Sequence, residues 1–450
     1  MTGVFMFKFP EDVYSDVRIE DIDENMIAYT VGNLDQYKSR KYQAAFIRVF
    51  DGNKWFYTAL TEIEDIQKEL DTLSEFAVRN KSIYEHPVVK GFEANKGRFI
   101  TFKDNDISKV SMDEKDKILT RYFDLLNSNK FVKNWKAIYV DRREVKKFYS
   151  SKGAELEFDS QRCGYGLMFS MAQDEKLLDQ SYQQASNVFG DLDTDLDACK
   201  EKLDKCVDFM LNSKTIDPGK YTVILSPMTA GVFAHESFGH KSEADFQIGD
   251  ENMKEEWKIG CSIGSEVLSI ADDGNMPGCG FFPYDDEGTK ARKTMLIENG
   301  ALAGRLHSIN TAVSLGEEVT GNARATSFEY EPIVRMTSTY ILPGELSKEE
   351  LFAGVKEGLY IEDLKHGSGM STFTIAPSLS YRIRDGKISE PVNVSVLTGN
   401  VFETLGEIDA VSDTLEIKSF VFGGCGKMEQ MDLPVSFGGP YVRINNMIAQ

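Results

Sequence analysis

Two of the chain's five histidines stand five residues apart, in Ala234-His235-Glu236-Ser237-Phe238-Gly239-His240-Lys241, with a carboxylate directly after the first. That spacing constrains the local backbone more than any other feature of the sequence. Neutral imidazoles are good zinc ligands, and a glutamate beside one can take a proton from an activated water. In the commoner His-Glu-x-x-His arrangement both rings share one helix face. Five residues apart on an ideal α-helix they diverge by roughly 140°, at about 100° per residue. To meet one ion, the turn must widen into a π-type bulge or the helix must end between them, and both distortions recur at functional sites. Gly239 is placed to lend the backbone that freedom.

A chain of 450 residues can bury a large core and divide into two domains. Of its 36 glycines, nine precede residue 219 and 27 follow from it onward, so the composition changes at Pro218-Gly219. The expected fold is α+β. An N-terminal strand-and-helix domain spans 1–218, and a Gly-rich, mostly β domain spans 219–450 and carries the metal site. The formal net charge of −21 argues against a broad phosphate-binding surface, and so against direct nucleic-acid contact. Cationic or unfolded peptides are easier to accommodate. Cysteines 163, 199, 206, 261, 279 and 425 include no C-x-x-C pair, which suits reduced thiols in a cytoplasmic protein. Met1 to Asp16 lacks the apolar run of a secretion signal, and no stretch approaches the roughly 18 apolar residues of a membrane span.

Along the chain, Ala44–Phe50 and Lys54–Tyr57 flank Asp51-Gly52-Asn53 as a hairpin. Ile63, Ile66, Leu70 and Leu73 mark a helix with Thr61 and Glu64 as its capping box; Ser111 and Glu114 repeat the device. Lys136 to Phe169 reads as a short meander turning at Lys152-Gly153 and near Gly164. The stripe Leu192, Leu196, Cys199, Leu203, Cys206, Val207, Met210 predicts a long helix with two cysteines in the core. Tyr221–Leu225 is a strand leading into the His-Glu segment. The acidic segments Asp272-Asp273-Gly274-Asn275 and Tyr284-Asp285-Asp286-Glu287-Gly288 read as solvated turns. An EF-hand fails there because Tyr284 stands where the twelfth-position Glu is needed. His86, His307 and His366 lie outside any ligand spacing.

Two histidines do not complete a catalytic zinc site, which usually takes three protein ligands and a water. Cys279 and Cys425, each between two glycines, are the candidates for the third. An ordered set of segments then carries a resemblance. It comprises Gly219-Lys220-Tyr221, His235 to His240 with Glu243-Ala244-Asp245, Asp272-Asp273-Gly274, Tyr284 to Gly288, Thr320-Gly321-Asn322, Arg335-Met336-Thr337, and Cys425-Gly426-Lys427 with Pro434-Val435. Together they resemble the TldD/PmbA family of metallopeptidases, members of which also carry the label of DNA gyrase modulators. The resemblance implies the TldD-like catalytic type, with His235, His240 and Cys425 as zinc ligands and Glu236 as general base. It implies hydrolysis of unfolded or short peptides in a cleft between subunits, in a homodimer or a heterodimer with a metal-less PmbA-like sister. Ala323-Arg324 and Met428-Glu429-Gln430 depart from the family pattern at positions that bear on substrate contacts. Asp245 could orient His240, or be a plain surface carboxylate. The competing readings are a regulatory component without catalysis and a metal hydrolase of non-peptide substrates.

Overall fold

The computed structural model describes residues 7–249, 254, 257–369 and 371–450; the first six residues of the N-terminal stretch read above lie outside these. The N-terminal half is built on one seven-stranded sheet. Trp55–Leu60, Asn33–Phe50, Tyr14–Thr30, Val132–Ser150 and Glu155–Gln173 run antiparallel in that order, and Lys96–Phe99 and Lys176–Ser186 both join the last of them. The central strands are long, 17 residues in Tyr14–Thr30 and 19 in Val132–Ser150, where short ones were expected.

Alternation gives this sheet two unlike faces. One carries Ile27, Tyr139, Tyr165 and Leu167 against the helices Met112–Thr120 and Leu196–Asn212, whose Cys199 and Cys206 are buried as predicted. The other carries Asp16, Arg18, Glu20, Arg48 and Lys146, and these too are buried, against the C-terminal half. Ser111 and Glu114 form their capping box, whereas Thr61 and Glu64 do not: a 3₁₀ turn Ile63–Asp65 precedes the helix Ile66–Phe76, with no side-chain cap on either. Gly164 marks no turn. It lies mid-strand, where a Cβ would come within 2.8 Å of Val421, so its bare backbone admits a close approach from the C-terminal half.

In the C-terminal half, Glu357–Gly369, Gly219–Leu225, Val442–Ala449, Leu397–Asn400 and Thr372–Arg384 pair in order, and the last pairs back with the first to close a ring. A second sheet, of six strands, ends in Ser338–Ile341, Ser436–Gly439 and Glu416–Ser419. Helix Pro227–Ala234 lies against both, with every residue buried except Met228. Gly231 makes this possible, since a Cβ there would sit 2.4 Å from the Gly438 nitrogen.

Of the acidic segments, 284–288 is buried rather than solvated, and in the other Asn275 lies exposed in a turn while Asp272 is buried. Asp272 accepts hydrogen bonds from Thr337, Thr339 and Asn322. Asp286 meets Lys146 at 2.8 Å and Glu287 meets Arg48 at 3.2 Å, so residues 284–288 bind the C-terminal half to the charged face of the first sheet. Among the described residues no helix is long and apolar enough to cross a membrane.

Candidate metal centre

Strand Gly219–Leu225 delivers the chain to Ser226, whose hydroxyl accepts from Thr229 N–H and caps the helix beginning at Pro227. After Ala234 the helix widens into a π-turn, His235–Gly239, closed by the His240 N–H donating to the His235 carbonyl. The extra residue per turn swings the second imidazole back toward the first, and the two ring centroids lie 5.1 Å apart. Gly239 has ordinary helical angles (φ −53°), so it lends no unusual backbone freedom. It leaves room instead, because a Cβ would fall 2.1 Å from the Met336 sulfur.

Cys425 arrives from the hairpin of Cys425–Lys427 and Gln430–Leu433. Its Sγ stands 3.7 Å from His240 Nε2, and one donor atom from each of His235, His240 and Cys425 lies within 4.8 Å of the others. All three residues are buried. The structure thus brings together both histidines and Cys425. Cys279 stands apart, its N–H donating to the Ser419 hydroxyl. The hairpin is fixed by two buried arginines. Arg335 donates to the carbonyls of Cys425 and Gln430, and Arg324 to those of Met336 and Pro434. Arg335 stands in a segment that carried the resemblance and Arg324 in one that departs from the family pattern, and no sequence pattern showed what either holds.

Burial alone would keep the Cys425 thiol protonated, yet the facing His235 and His240 rings pull it down to about 5. Burial likewise opposes charge on His240, but hydrogen bonds to Cys425 and Glu243 push it up to about 10. The thiol and the imidazole thus favour each other's charged forms. His240 Nδ1 lies 3.2 Å from Glu243 Oε2, a carboxylate with no solvent exposure that also meets Lys427 Nζ at 3.2 Å. Lys427 in turn binds Asp245 at 2.6 and 2.7 Å and the Val334 carbonyl at 2.9 Å. The residue that orients His240 is thus Glu243; Asp245 sits one link further out. The three-residue interval from His240 to Glu243, which puts both on one side of a helical turn, was the available signal.

Glu236 is partly exposed beside the strand Glu357–Gly369. The strand can pass because it ends in glycines. A Cβ on Gly367 would lie 3.0 Å from Glu236 Cγ, and one on Gly369 would lie 2.4 Å from the Glu236 carbonyl oxygen. His235 Nδ1 is buried with no hydrogen-bond partner among the described residues, a costly state for an imidazole nitrogen unless something else satisfies it. Two nitrogens and a thiolate sulfur, with a carboxylate behind one ring, are a donor set that fits zinc with a position left open.

A widened helical turn gathering two imidazoles and a distant thiol beside a glutamate defines a candidate hydrolytic metal centre. Residues 218–450 match the family model for the PmbA/TldA metallopeptidase C-terminal domain, and residues 15–80 match the one for PmbA/TldA metallopeptidase domain 1. A metalloprotease of Methanocaldococcus jannaschii is 31% identical over 440 residues, covering 96% of this chain and 95% of its own. A zinc metalloprotease TldD homolog of Saccharolobus solfataricus is 29% identical over 446 residues, covering 96% of each chain. The crystal structure of TldE from Thermococcus kodakarensis shares the fold, with a TM-score of 0.77, 17% identity, and coverage of 97% of this chain and 96% of that one. The chain belongs to the TldD/PmbA metallopeptidase family.

Proposed function

We propose that this protein is a zinc-dependent peptidase that hydrolyses short or unfolded peptides. The observation that carries the reading is the convergence of His235, His240 and Cys425 donor atoms within 4.8 Å, in the same turn as Glu236. Zinc bound to these donors would supply Lewis acidity toward the scissile carbonyl and make water acidic enough to deprotonate near neutral pH. Glu236 takes the proton from the attacking water and passes it to the departing amide nitrogen. The C–N bond then breaks to a carboxylate and a free amine. Glu243 accepts from His240 Nδ1–H, which fixes the tautomer that presents the Nε2 lone pair on the Cys425 side. Main-chain hydrogen bonds to an extended substrate would select for length with little side-chain preference. The names of the two relatives support a peptide bond as the target, and one of them supports zinc.

The test has two parts. Metal is measured in the purified chain, and cleavage of an unstructured peptide is then compared between wild type and Glu236→Ala. Zinc retained with cleavage lowered by about 10²- to 10⁴-fold in the variant is the expected result. Bound zinc with no cleavage of any peptide by the wild type would overturn the reading in favour of a regulatory protein or a different hydrolase.

A further inference from the structure

We propose that Arg142 and Arg162 form a carboxylate-binding subsite for the substrate, in the groove next to the loop that leads to Cys425. The proposal rests on the peptidase reading for the identity of its ligand.

The register of the first sheet sets Arg40, Glu24, Arg142 and Arg162 directly opposite one another across four strands, on the charged face. Two arginines in direct cross-strand register repel. Elsewhere on this face each buried cation has its anion: Arg18 has Glu20, Arg48 has Asp16 and Glu287, and Lys146 has Asp286. Glu24 is shared between Arg40 at 2.7 Å and Arg142 Nη1 at 2.8 Å, while Arg142 Nε is paired with Glu144. That leaves Arg142 Nη2 buried with no acceptor, and Arg162 with no hydrogen bond or ion pair, among the described residues. Burial, and next the charge of Arg142, lower the pKa of Arg162, outweighing the attraction of Glu144 and Glu24, neither of which is hydrogen-bonded to it.

Both arginines line a groove of about 590 Å³ whose other walls include Lys38, Val140 and Val421, and whose two carboxylates, Glu24 and Asp141, are already paired with Arg40 and Lys115. The roof is the loop ahead of Cys425, with Val421 seated over Gly164 and Phe422 over Gly166, each closer than a Cβ would allow. A second, much smaller void of about 30 Å³ is lined by the same two arginines and by Arg324, Leu433 and Pro434. Leu433 is the cross-strand partner of Cys425, so the two arginines also face a void that reaches the hairpin of the metal centre. Two guanidinium groups side by side offer the paired N–H donors that a carboxylate accepts in bidentate fashion. In a chain of net charge −21, such a local cationic site is what an acidic group would need in order to settle. The carboxylate can be the C-terminus of a peptide or an acidic side chain near the cleavage point.

Calorimetry on the full-length, zinc-loaded Glu236→Gln protein separates these sources without turnover. The ligands are one neutral N-acetylated peptide as free acid, the same peptide as C-terminal amide, and the amide with one internal glutamate. The expected result is binding about tenfold tighter for a carboxylate-bearing peptide than for the neutral amide, the yield of one charge-assisted contact. The preference should disappear in Arg162→Gln and survive in part in Arg162→Lys. Preference for the free acid alone assigns the C-terminus, and preference for the glutamate-bearing amide assigns a side chain. Equal binding of all three peptides, or a preference that persists undiminished in Arg162→Gln, overturns the proposal. A protein that binds through Arg162 yet cleaves nothing would leave the subsite standing and sink the peptidase reading instead.

Discussion

Glu243→Gln is the substitution that tests the architecture of the metal centre most directly. The carboxylate is fully buried and answers two donors, His240 Nδ1 and Lys427 Nζ, each at 3.2 Å. Glutamine keeps the volume and one acceptor oxygen but loses the charge, and it can turn its NH₂ toward Nδ1, which favours the wrong tautomer of His240. Lys427 is not stranded, because Asp245 at 2.6 Å and the Val334 carbonyl at 2.9 Å remain. Folding should therefore survive and the loss should fall on His240. Removing the carboxylate behind a ligating imidazole typically weakens metal binding 10- to 100-fold, or about 1.4–2.8 kcal/mol. Competition for zinc against a chromogenic chelator reads the affinity, with thermal unfolding of the metal-free protein as the control for folding. Affinity within twofold of wild type in a normally folded Glu243→Gln would refute the role given to Glu243. A larger loss in Asp245→Asn than in Glu243→Gln would return that role to Asp245.

Two further outcomes follow from burial and charge. The Cys425 thiol has its folded pKa lowered from 9.0 to about 5, so in the metal-free protein its thiolate adds stability fully present above the unfolded value and lost as pH falls through about 5. The difference in 240 nm absorbance between metal-free wild type and Cys425→Ser should show a step near pH 5; a step near 9 would contradict the geometry. Lys146→Met should destabilise the protein by about 3 kcal/mol, the low end for breaking a buried pair, since Asp286 keeps Arg18 at 3.7 Å and the Ala325 N–H. Adding Asp286→Asn, which retains an acceptor for Ala325, should recover part of this in urea unfolding, and a single-variant loss below about 1 kcal/mol would discount the cluster.

The local part of the site was legible because helical geometry is local. Histidines five apart cannot share an ion on a regular helix, and the π-turn His235–Gly239 is one of the two distortions that the spacing allowed. The third donor was not legible from residues alone. Cys279 and Cys425 have the same Gly-x-Gly setting, and what distinguishes them is a hairpin held by Arg324 and Arg335, a tertiary fact. Only the family resemblance chose Cys425 over Cys279. Gly164 misled for a related reason: glycine marks either a turn or a close approach, and the approaching chain, Val421, lies more than 250 residues further on.

Strand Tyr14–Thr30 was not legible in the sequence and the acidic segment 284–288 reads wrongly as solvated, for one physical reason. Asp16-Val17-Arg18-Ile19-Glu20 alternates as a half-buried strand should, but its charged side would ordinarily be assigned to water. Residues 284–288, rich in carboxylates, would be assigned to water as well. Each is buried because the other neutralises it, and periodicity registers the two faces of a strand without saying what covers either. Ion pairs buried this way are weak evidence for stability, since desolvation offsets much of the attraction. Their value here is geometric. Lys146 with Asp286 and Arg48 with Glu287 can all close only in one docking of the C-terminal half on the sheet, which fixes the loop ahead of Cys425 over Gly164 and Gly166. On that reasoning the informative groups are the donors the docking leaves without an acceptor, and along this face those are Arg142 Nη2 and the Arg162 guanidinium.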